Sequence, residues 1–412
     1  MRRRVVVTGM GGISPLGSDW TTVRKKLRAN ISGVTRMPEW DACKGLQSRL
    51  AAPAAFTTPP QWVRQQIRTM GRVSLMAAFT TETALRQAKL LDHPALTDGS
   101  CGIAYGSTSG SPPAIEEYFR RIYLNRDLKG LSPYTYIQLM SHTCAANLGQ
   151  FFKVKGRVVP TCSACTSGSQ GIGYGYEAIK HGDQQVMITG GAEELHLAAT
   201  VVFDVMYATS TKNNDPTSTP RPFDKERDGL VIGEGAGTLI LESLEHAKAR
   251  GAAIHAELVG FGTNSDGAHI INPCTEGMEG AMRLALADAG LSPSAIGYVN
   301  AHGTATELGD IAETQATARV FGARMPISSL KSYMGHTLGA CGALEAWLSI
   351  EMMRENWFAP TINLKEVDER CGGLDYIRGK FRALKTNYIM SNNFAFGGVN
   401  TSLIFKRWKK GS

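Results

Sequence analysis

Short apolar runs alternate along the chain with longer stretches of helical character. The runs that predict β-strands are VVVTG at 5–9, CGIAYGS at 101–107, VVPTCSA at 158–164 and QVMITGG at 185–191. A helical pattern fills 72–91 and 168–180. Strands that alternate with helices are typical of an α/β fold.

A weak internal repeat runs through the sequence. The matching pairs are VTGMGGIS at 7–14 with LVGFGTNS at 258–265, and TALRQAKLL at 83–91 with LALADAGL at 284–291. Either match alone is as compatible with chance as with duplication, because small residues are common. Their common order favours two similar halves, 1–252 and 253–412. No linker rich in Pro, Ser or Gly separates them, so we expect one compact body.

Bulk composition narrows the class of protein. The chain has 412 residues, of which 43% are hydrophobic and 19% charged, as in globular proteins. No window approaches the roughly 18 apolar residues of a membrane span, and the N-terminus carries no signal-peptide cleavage pattern. We therefore expect a cytoplasmic protein without membrane insertion. The net charge of +8 is scattered, which favours an acidic protein partner or anionic substrates over nucleic acid.

One polar segment stands out from the apolar pattern. TSTKNNDPTSTPRPFDKERD at 209–228 contains three prolines and no apolar period. It predicts a long surface loop, and long loops in compact domains are often functional.

Two neighbouring cysteines, Cys162 and Cys165, stand in PTCSACTSGSQGIGYG at 160–175. Eight cysteines in the chain are too few for a disulfide scaffold. A thioredoxin-like redox pair would belong to a small unit, and a zinc site would need a second C-x-x-C or an H-x₃₋₅-H, which the sequence lacks. Two interpretations remain: both are core residues, or one is a nucleophile.

The surrounding residues favour a nucleophile. The run at 158–164 predicts a short buried strand, and a helix from Thr166 would end at His181 before Gly182. Cys165 then lies on the strand-to-helix turn, where the helix N-terminus favours thiolate over thiol. Four glycines predict that this helix is buried and closely packed. Cys162 is expected to be a small core residue.

Two of the nine histidines lie in turns rich in small residues. His302 stands in VNAHGTATELGD at 299–310, and His336 stands in SSLKSYMGHTLGACGALEA at 328–346 after Lys331. A single histidine in a turn is more often structural than catalytic. Two such turns and an activated cysteine form a set able to combine nucleophilic attack with hydrogen-bond donation or proton transfer.

Four motifs together resemble the signatures of the β-ketoacyl-acyl carrier protein synthases of types I and II. They are ACTSG at 164–168, NAHGTAT at 300–306, GHTLGACGALE at 335–345 and NNFAFGGVN at 392–400. The similarity also includes 221–237 and the N-terminal VVVTGMGGISPLG, so it covers nearly the whole chain.

The resemblance implies a thiolase-like layered αβαβα fold with two pseudo-repeated halves, normally an intimate dimer. Cys165 would take an acyl group from a carrier-protein thioester. Malonyl carrier protein would then lose CO₂ and attack that group, giving a 3-oxoacyl chain two carbons longer. His302 and His336 would stabilise the developing oxyanion, and Lys331 would orient them.

Further residues take roles from the same resemblance. The backbone N–H groups of Cys165 and Phe396 would form an oxyanion hole. Three acidic residues would give structural support: Asp310, Glu313 and Glu345. Substrate binding would involve Thr304, Thr306, Phe394, Phe396, Gly397 and Gly398. Ala395 replaces the glycine that the family usually has between the phenylalanines, which would stiffen this gate.

Substrates in this family arrive on the 4′-phosphopantetheine arm of an acidic acyl carrier protein, so we expect no separate cofactor and no metal. Arg64, Arg68 and Arg72 recur every four residues and would share one face if 61–72 is helical. With Lys212 they form the predicted docking face, although each also suits an ordinary solvated surface.

Rival assignments remain distinguishable by sequence. A thiolase would resemble a Cys–His–Cys pattern, and a chain-length-factor subunit would lack Cys165. The sequence leaves two assemblies open. The chain could form a homodimer, or it could be the active partner in a heterodimer with a chain-length-factor subunit. GMGGIS at 9–14 lacks the third glycine of a dinucleotide-binding motif.

The segment STSGSPPAI at 107–115 places small residues where the family often has a larger one. This difference predicts an acyl pocket that accepts long or polyene-like chains.

Overall fold

The computed structural model describes residues 2–409, and the bounds of its elements follow in chain order. The strands are β1 Val5–Ile13, β2 Thr35–Arg36, β3 Leu50–Ala52, β4 Cys101–Gly106, β5 Val158–Thr161, β6 Val186–Glu193, β7 Ile232–Gly233, β8 Gly235–Ser243, β9 Ala256–Ser265, β10 Tyr298–Asn300, β11 Pro326–Ser328, β12 Trp357–Phe358, β13 Asp375–Tyr376, β14 Arg382–Ala383, β15 Tyr388–Ala395 and β16 Val399–Arg407. The α-helices are α1 Trp20–Arg28, α2 Arg64–Ile67, α3 Arg72–Ala88, α4 Pro112–Phe119, α5 Pro133–Leu139, α6 Thr143–Phe151, α7 Ser167–His181, α8 Leu197–Asp204, α9 Leu244–Ala249, α10 Thr275–Ala289, α11 Glu307–Phe321, α12 Lys331–Met334 and α13 Cys341–Glu355.

A mixed sheet of 11 strands forms the centre of the fold, in the order β13-β11-β10-β15-β16-β9-β1-β8-β6-β4-β5. Its middle is a short antiparallel contact between β1 and β9, in which Val5 faces Leu258. Outward from this contact, each side continues with antiparallel pairs and then parallel pairs. The two sides therefore repeat one strand order, and the first predicted repeat, 7–14 with 258–265, falls on the two central strands. The division of the chain after residue 252 stays a prediction.

Helices complete the layers on both sides of the strands. α7 and α13 contact each other and strands of both halves, so they form the middle layer. α3 and α6 cover the outer face of the first half, and α10 and α11 cover that of the second. The result is the αβαβα arrangement predicted from the resemblance.

The middle-layer helix α7 confirms the expectation of close packing. It ends at His181, with Gly182 in the left-handed region at φ 91°, as predicted. A β-carbon at Gly173 would lie 2.2 Å from the ring of Phe261, and one at Gly171 would lie 2.7 Å from the carbonyl oxygen of Ala104. Strand and helix backbones approach here too closely for any larger residue.

Two predictions around the first strand-to-helix turn are wrong. The strand β5 ends at Thr161 and lies at the edge of the sheet, and Val158 is 44% exposed. The run at 158–164 is therefore not a buried strand, because it has a neighbour on one side only. Cys162 is exposed and donates to the carbonyl oxygen of Thr108 at 3.1 Å, so it is not a core residue.

The segment 209–228 is a loop, as predicted, apart from one turn of 3₁₀-helix at Pro216–Ser218. Only part of it lies at the surface, since residues 219–224 are buried. Phe223 fills the core of the second half, and its N–H donates to Asp310 at 2.7 Å. The loop therefore links the two halves beside His302. Among residues 2–409, no helix combines the length and apolar character needed to cross a bilayer.

Candidate active site

Cys165 occupies the turn between β5 and α7, as the sequence predicts. It is the middle residue of a 3₁₀ turn at Ala164–Thr166 and is 6% exposed. Ala164 adopts the left-handed region at φ 47°, an uncommon conformation for a residue with a side chain. Such local strain is common where a fold must present one side chain in a fixed direction.

His336 contacts the cysteine directly. Its Nε2 lies 3.0 Å from Cys165 Sγ, although the two residues are 171 positions apart. Its Nδ1 accepts the backbone N–H of Leu338 at 3.3 Å. An imidazole nitrogen that accepts carries no proton, so the neutral ring holds its proton on Nε2, toward the sulfur. The His336 backbone is fixed in turn, because its N–H donates to Val231 at 2.7 Å.

His302 faces the same sulfur from a second turn. Its ring centroid lies 5.1 Å from that of His336 at an interplanar angle of 87°. One ligand atom from each of Cys165, His302 and His336 lies within 4.8 Å of the other two, so the structure brings the predicted trio together. Glu313 holds this turn by accepting the N–H groups of His302 at 2.7 Å and Gly303 at 2.6 Å.

Lys331 and Glu345 form a buried ion pair beside the trio. The second oxygen of Glu345 accepts from Asn393 Nδ2 at 2.8 Å, which fixes the carboxylate between α13 and β15. Burial opposes the charge of Lys331, but Glu345 outweighs it and raises the pKa of the ammonium. Lys331 is therefore a fixed positive charge at neutral pH.

Burial and this charge set the protonation of the site. Loss of solvent and the Lys331 ammonium lower the pKa of His302 and of His336 well below the usual value, so both rings are neutral. Burial also raises the pKa of Cys165 to about 12, although Lys331 opposes the shift. Burial therefore opposes the thiolate that the helix N-terminus would favour, and the thiolate at rest stays a prediction.

The same three side chains raise the question of a metal. Thiolate sulfur and imidazole nitrogen are ligands that Zn²⁺ favours, and a catalytic zinc site often has three protein ligands. The Lys331 charge that lowers the pKa of both histidines would also repel a cation here. The absence of a metal from the reaction stays a prediction.

A cavity of about 450 Å³ leads from the surface to Cys165. Its lining includes predicted substrate-binding residues: Thr304, Thr306, Phe394, Phe396 and Gly398. The hydroxyls of Thr304 and Thr306 lie 2.9 Å apart, and the ring of Phe396 lies 5.4 Å from that of Phe203. The roles assigned to these residues stay predictions.

The turn after Phe396 consists of two glycines in the left-handed region. Gly397 has φ 85° and Gly398 has φ 70°, and a β-carbon at Gly398 would lie 2.4 Å from Asp266. A larger residue would be strained at either position, and at Gly398 it would also collide with Asp266. The Gly397 N–H donates to Ile270 at 2.8 Å, which ties this turn to the loop beside the cavity mouth.

Asp310 joins the His302 turn to the 209–228 loop. Besides the N–H of Phe223, it accepts the N–H of Ala305 at 3.1 Å, and its Oδ2 lies 3.6 Å from Nε of Arg227. Ala305 adopts φ 68°, so this hydrogen bond holds a strained residue between the two threonines whose hydroxyls meet. The predicted support by Asp310, Glu313 and Glu345 agrees with these contacts.

The predicted docking face is partly wrong. α2 spans only Arg64–Ile67, and a new helix begins at Arg72 after Gly71, so 61–72 is not one helix. Arg72 instead binds both carboxylate oxygens of Glu234, at 2.7 and 2.9 Å. Arg64 and Arg68 do share a surface depression, where Arg68 stacks 4.7 Å from the ring centroid of Tyr134. Lys212 lies in the 209–228 loop.

Two buried residues near Cys165 escaped the sequence analysis. The Cys341 thiol donates to the carbonyl oxygen of Cys165 at 3.3 Å. Glu193 ends β6 and binds the turn that follows His336, with its carboxylate 2.9 Å from the N–H of Gly339. The available signal was a carboxylate directly after an apolar strand, in GGAEE at 190–194.

Two protein-family models match the chain. The one described as the N-terminal domain of β-ketoacyl synthases covers residues 2–247, and the one described as the C-terminal domain covers 255–365. The 3-oxoacyl-(acyl-carrier-protein) synthase 1 of Escherichia coli K12 is 37% identical over 410 residues, which are 99% of this chain and 100% of that protein.

Solved structures agree with this assignment. A β-ketoacyl synthase from Burkholderia phymatum STM815 has a TM-score of 0.97 and 57% identity, over 99% of this chain and 100% of its own. The ishigamide ketosynthase/chain length factor has a TM-score of 0.91 and 31% identity, over 99% and 100%. With these matches over almost the whole length and the Cys–His–His site, the chain belongs to the β-ketoacyl synthase family of acyltransferases.

Proposed function

We propose that this enzyme extends acyl chains by decarboxylative condensation of malonyl carrier protein with an acyl group held on Cys165. The observation that carries the proposal is the buried contact of Cys165 Sγ with His336 Nε2 at 3.0 Å, beside the ring of His302. A sulfur nucleophile and two neutral hydrogen-bond donors are what acyl transfer and decarboxylation need in one site.

Acyl transfer comes first. The Cys165 sulfur attacks the carbonyl carbon of the acyl thioester, and the bond to the pantetheine sulfur breaks. Because burial keeps the resting thiol protonated, proton loss accompanies the attack, and the proton ends on the departing pantetheine thiol. The backbone N–H groups of Cys165 and Phe396 stabilise the tetrahedral oxyanion.

Decarboxylation of the malonyl thioester follows. The bond to the carboxylate carbon breaks, CO₂ leaves, and the electron pair passes into an enolate whose oxygen becomes negative. The protonated Nε2 of His336 and the ring of His302 donate hydrogen bonds to that oxygen. No proton has to move in this step, which suits imidazoles that are neutral and held in place.

Carbon–carbon bond formation completes the cycle. The enolate carbon attacks the acyl carbon on Cys165, and the tetrahedral intermediate collapses with loss of the thiolate. The thiolate then takes a proton from solvent, which restores the resting thiol. The product is a 3-oxoacyl thioester two carbons longer.

The substrates reach the site on a phosphopantetheine arm through the cavity described above. In this proposal Thr304 and Thr306 bind the arm, Phe394 and Phe396 act as a gate with Gly397 and Gly398, and no further cofactor takes part. The carrier protein is acidic, and the depression that holds Arg64 and Arg68 offers it a cationic surface.

We also infer a second subunit, either another copy or a chain-length-factor-like paralogue. A group of exposed apolar side chains supports this: Phe119, Tyr123, Leu124, Leu128 and Tyr136. The rings of Phe119 and Tyr123 stack with their centroids 5.8 Å apart, and exposed apolar surface of this kind often marks a site of protein contact. The similar ishigamide structure carries both names, ketosynthase and chain length factor. A cytoplasmic location stays part of the proposal.

The substrate range is the finer part of the proposal. Small residues at 107–115 favour long or rigid polyene-like chains of a specialised pathway over housekeeping fatty acids.

Mass spectrometry tests the reaction most directly. Incubation with an acyl carrier-protein thioester should add one acyl group to the intact chain, and peptide mapping should place it on Cys165. The adduct should be absent from Cys165→Ala and present in the matched control Cys162→Ala, whose thiol is exposed. An adduct on another residue, or none in the wild type, would overturn the proposed function.

A further inference from the structure

Glu193 is a buried carboxylate that the reaction steps above do not use. It ends β6 and is 2% exposed. Its Oε1 accepts the Thr108 hydroxyl at 2.8 Å, and its Oε2 accepts the N–H of Thr108 at 3.1 Å and the N–H of Gly339 at 2.9 Å. Within residues 2–409 no cationic side chain pairs with it, and burial raises its pKa to about 7 although the three neutral donors favour the carboxylate.

The hydrogen bond between Gly339 and Glu193 is connected to His336 through the neighbouring residue Leu338. Leu338 and Gly339 lie in the 3₁₀ turn Leu338–Ala340, two residues after His336, and the Leu338 N–H is the donor to His336 Nδ1. Leu338 is held at φ 45°, in the left-handed region, although it has a branched side chain. A strained turn of this kind persists only where its surroundings fix it.

Close packing leaves this turn little room. A β-carbon at Gly339 would lie 2.9 Å from Glu193 Oε2 and 2.9 Å from the Thr108 nitrogen. The carbonyl oxygen of Gly339 would lie 2.8 Å from a β-carbon at Gly168, in the first turn of α7. The turn is therefore held between the loop at Thr108 and the helix that follows Cys165, and Glu193 accepts a hydrogen bond from its Gly339 N–H.

We propose that Glu193 is a positioning residue that sets the tautomer of His336 by holding the Leu338–Gly339 turn. With the turn in place, the Leu338 N–H occupies Nδ1 and the imidazole proton stays on Nε2, where it can reach the enolate oxygen. Without it, the proton can move to Nδ1, and Nε2 becomes an acceptor that cannot stabilise negative charge. This role rests on the proposed function of His336.

The effect of a wrong tautomer on catalysis is large in other enzymes that orient a histidine through a carboxylate. Glu193→Gln keeps the size of the side chain but replaces one acceptor oxygen by a donor. We expect it to lower malonyl decarboxylation by about tenfold or more. Glu194→Gln is the matched control, because Glu194 is 5% exposed and its carboxylate accepts Val73 N–H at 3.2 Å on the side of α3.

The tautomer itself is the deciding readout. In protein labelled with ¹⁵N-histidine, the His336 signals are those lost in His336→Ala. The wild type and Glu194→Gln should show protonated Nε2, and Glu193→Gln should show a population with protonated Nδ1. If Glu193→Gln keeps protonated Nε2 and decarboxylates within about threefold of Glu194→Gln, the positioning role is wrong.

Two further outcomes keep the test decisive. If Glu193→Gln does not fold, Thr108→Val replaces it, because this change removes only the hydroxyl that donates to Glu193 Oε1. It should shift the His336 tautomer and the decarboxylation rate in the same direction by a smaller factor. An unchanged tautomer in Thr108→Val would overturn the inference. The tautomer is read without substrate. If the tautomer shifts on mutation but the wild type cannot decarboxylate malonyl carrier protein, the proposed function is wrong, and only the control of the His336 tautomer by Glu193 stands.

Discussion

The Lys331 ammonium and the Glu345 carboxylate form an ion pair whose side chains are 1% and 0% exposed. The pair joins the helix before His336 to α13, in the layer shared by both halves. Truncating either partner leaves the other charge buried and unpaired, so Lys331→Ala and Glu345→Ala should each lower the free energy of unfolding by about 3–5 kcal/mol. Urea unfolding at neutral pH measures this.

The double variant and an exposed pair serve as controls for that prediction. Lys331→Ala with Glu345→Ala should cost less than the sum of the single changes, since the double variant leaves no lone charge. Arg283→Ala, which breaks a surface pair with Glu279, should cost at most about 1 kcal/mol. Strict additivity of the two buried substitutions would show that the ion pair does not couple them.

Substitution of Cys165 should separate the two half-reactions. Cys165→Ala should abolish both the acyl adduct and condensation, because no nucleophile remains. Cys165→Gln fills the site with a neutral amide and keeps His302 and His336, so malonyl decarboxylation should continue without condensation. Release of labelled CO₂ and formation of 3-oxoacyl product measure the two steps. Loss of decarboxylation in Cys165→Gln together with unchanged folding would argue against an independent role of the histidines.

The pKa of Cys165 predicts how its reactivity depends on pH. Burial raises this pKa to about 12, so the thiolate fraction should grow about tenfold per pH unit through the range in which the protein is stable. Peptide-resolved alkylation by iodoacetamide should therefore rise from about pH 7 to about pH 9 without a plateau. A plateau near neutral pH would mean that His336 and the helix N-terminus outweigh burial.

Local signals explain which parts of the fold the sequence predicted. The strands at 5–9, 101–107 and 185–191 and the end of α7 at Gly182 follow from apolar runs and a glycine cap, which act within a few residues. The solvent exposure of Cys162 does not follow from local signals, because it depends on β5 lying at the edge of the sheet. The spacing of Arg64, Arg68 and Arg72 suggested one helix, but a new helix begins after Gly71.

The site shows the same division between local and distant causes. The motifs around Cys165, His302 and His336 are local in sequence and indicate a site only when taken together, and the fold brings the three side chains within 4.8 Å. Glu193 has no motif of its own. Its position matters only because it meets Gly339, 146 residues away, and no local pattern encodes that contact. The burial that opposes a thiolate at Cys165 has a related cause, since it results from packing of both halves.

Charge reversal should separate carrier-protein docking from chemistry. The double change Arg64→Glu and Arg68→Glu should raise the KM for malonyl carrier protein by about tenfold and weaken its salt dependence, because complementary charges speed association. Decarboxylation of a small malonyl-pantetheine thioester should stay unchanged. Arg72→Glu is the contrasting variant: it leaves Glu234 facing a like charge and should lower stability instead. Equal KM values for wild type and the double variant would place docking elsewhere.

The small residues at 107–115 predict a broad range of acyl chains. If they leave space beside the cysteine, elongation should continue with long and conjugated primers at rates close to those of short saturated ones. Ser109→Phe adds a ring to this segment and should shorten the range, whereas Cys162→Ala, on the neighbouring edge, should not. Product profiles over a series of carrier-protein primers of increasing length and unsaturation measure the range. A sharp preference of the wild type for short saturated primers would contradict a roomy pocket, since the chain length that a pocket accepts is set by the side chains that close it.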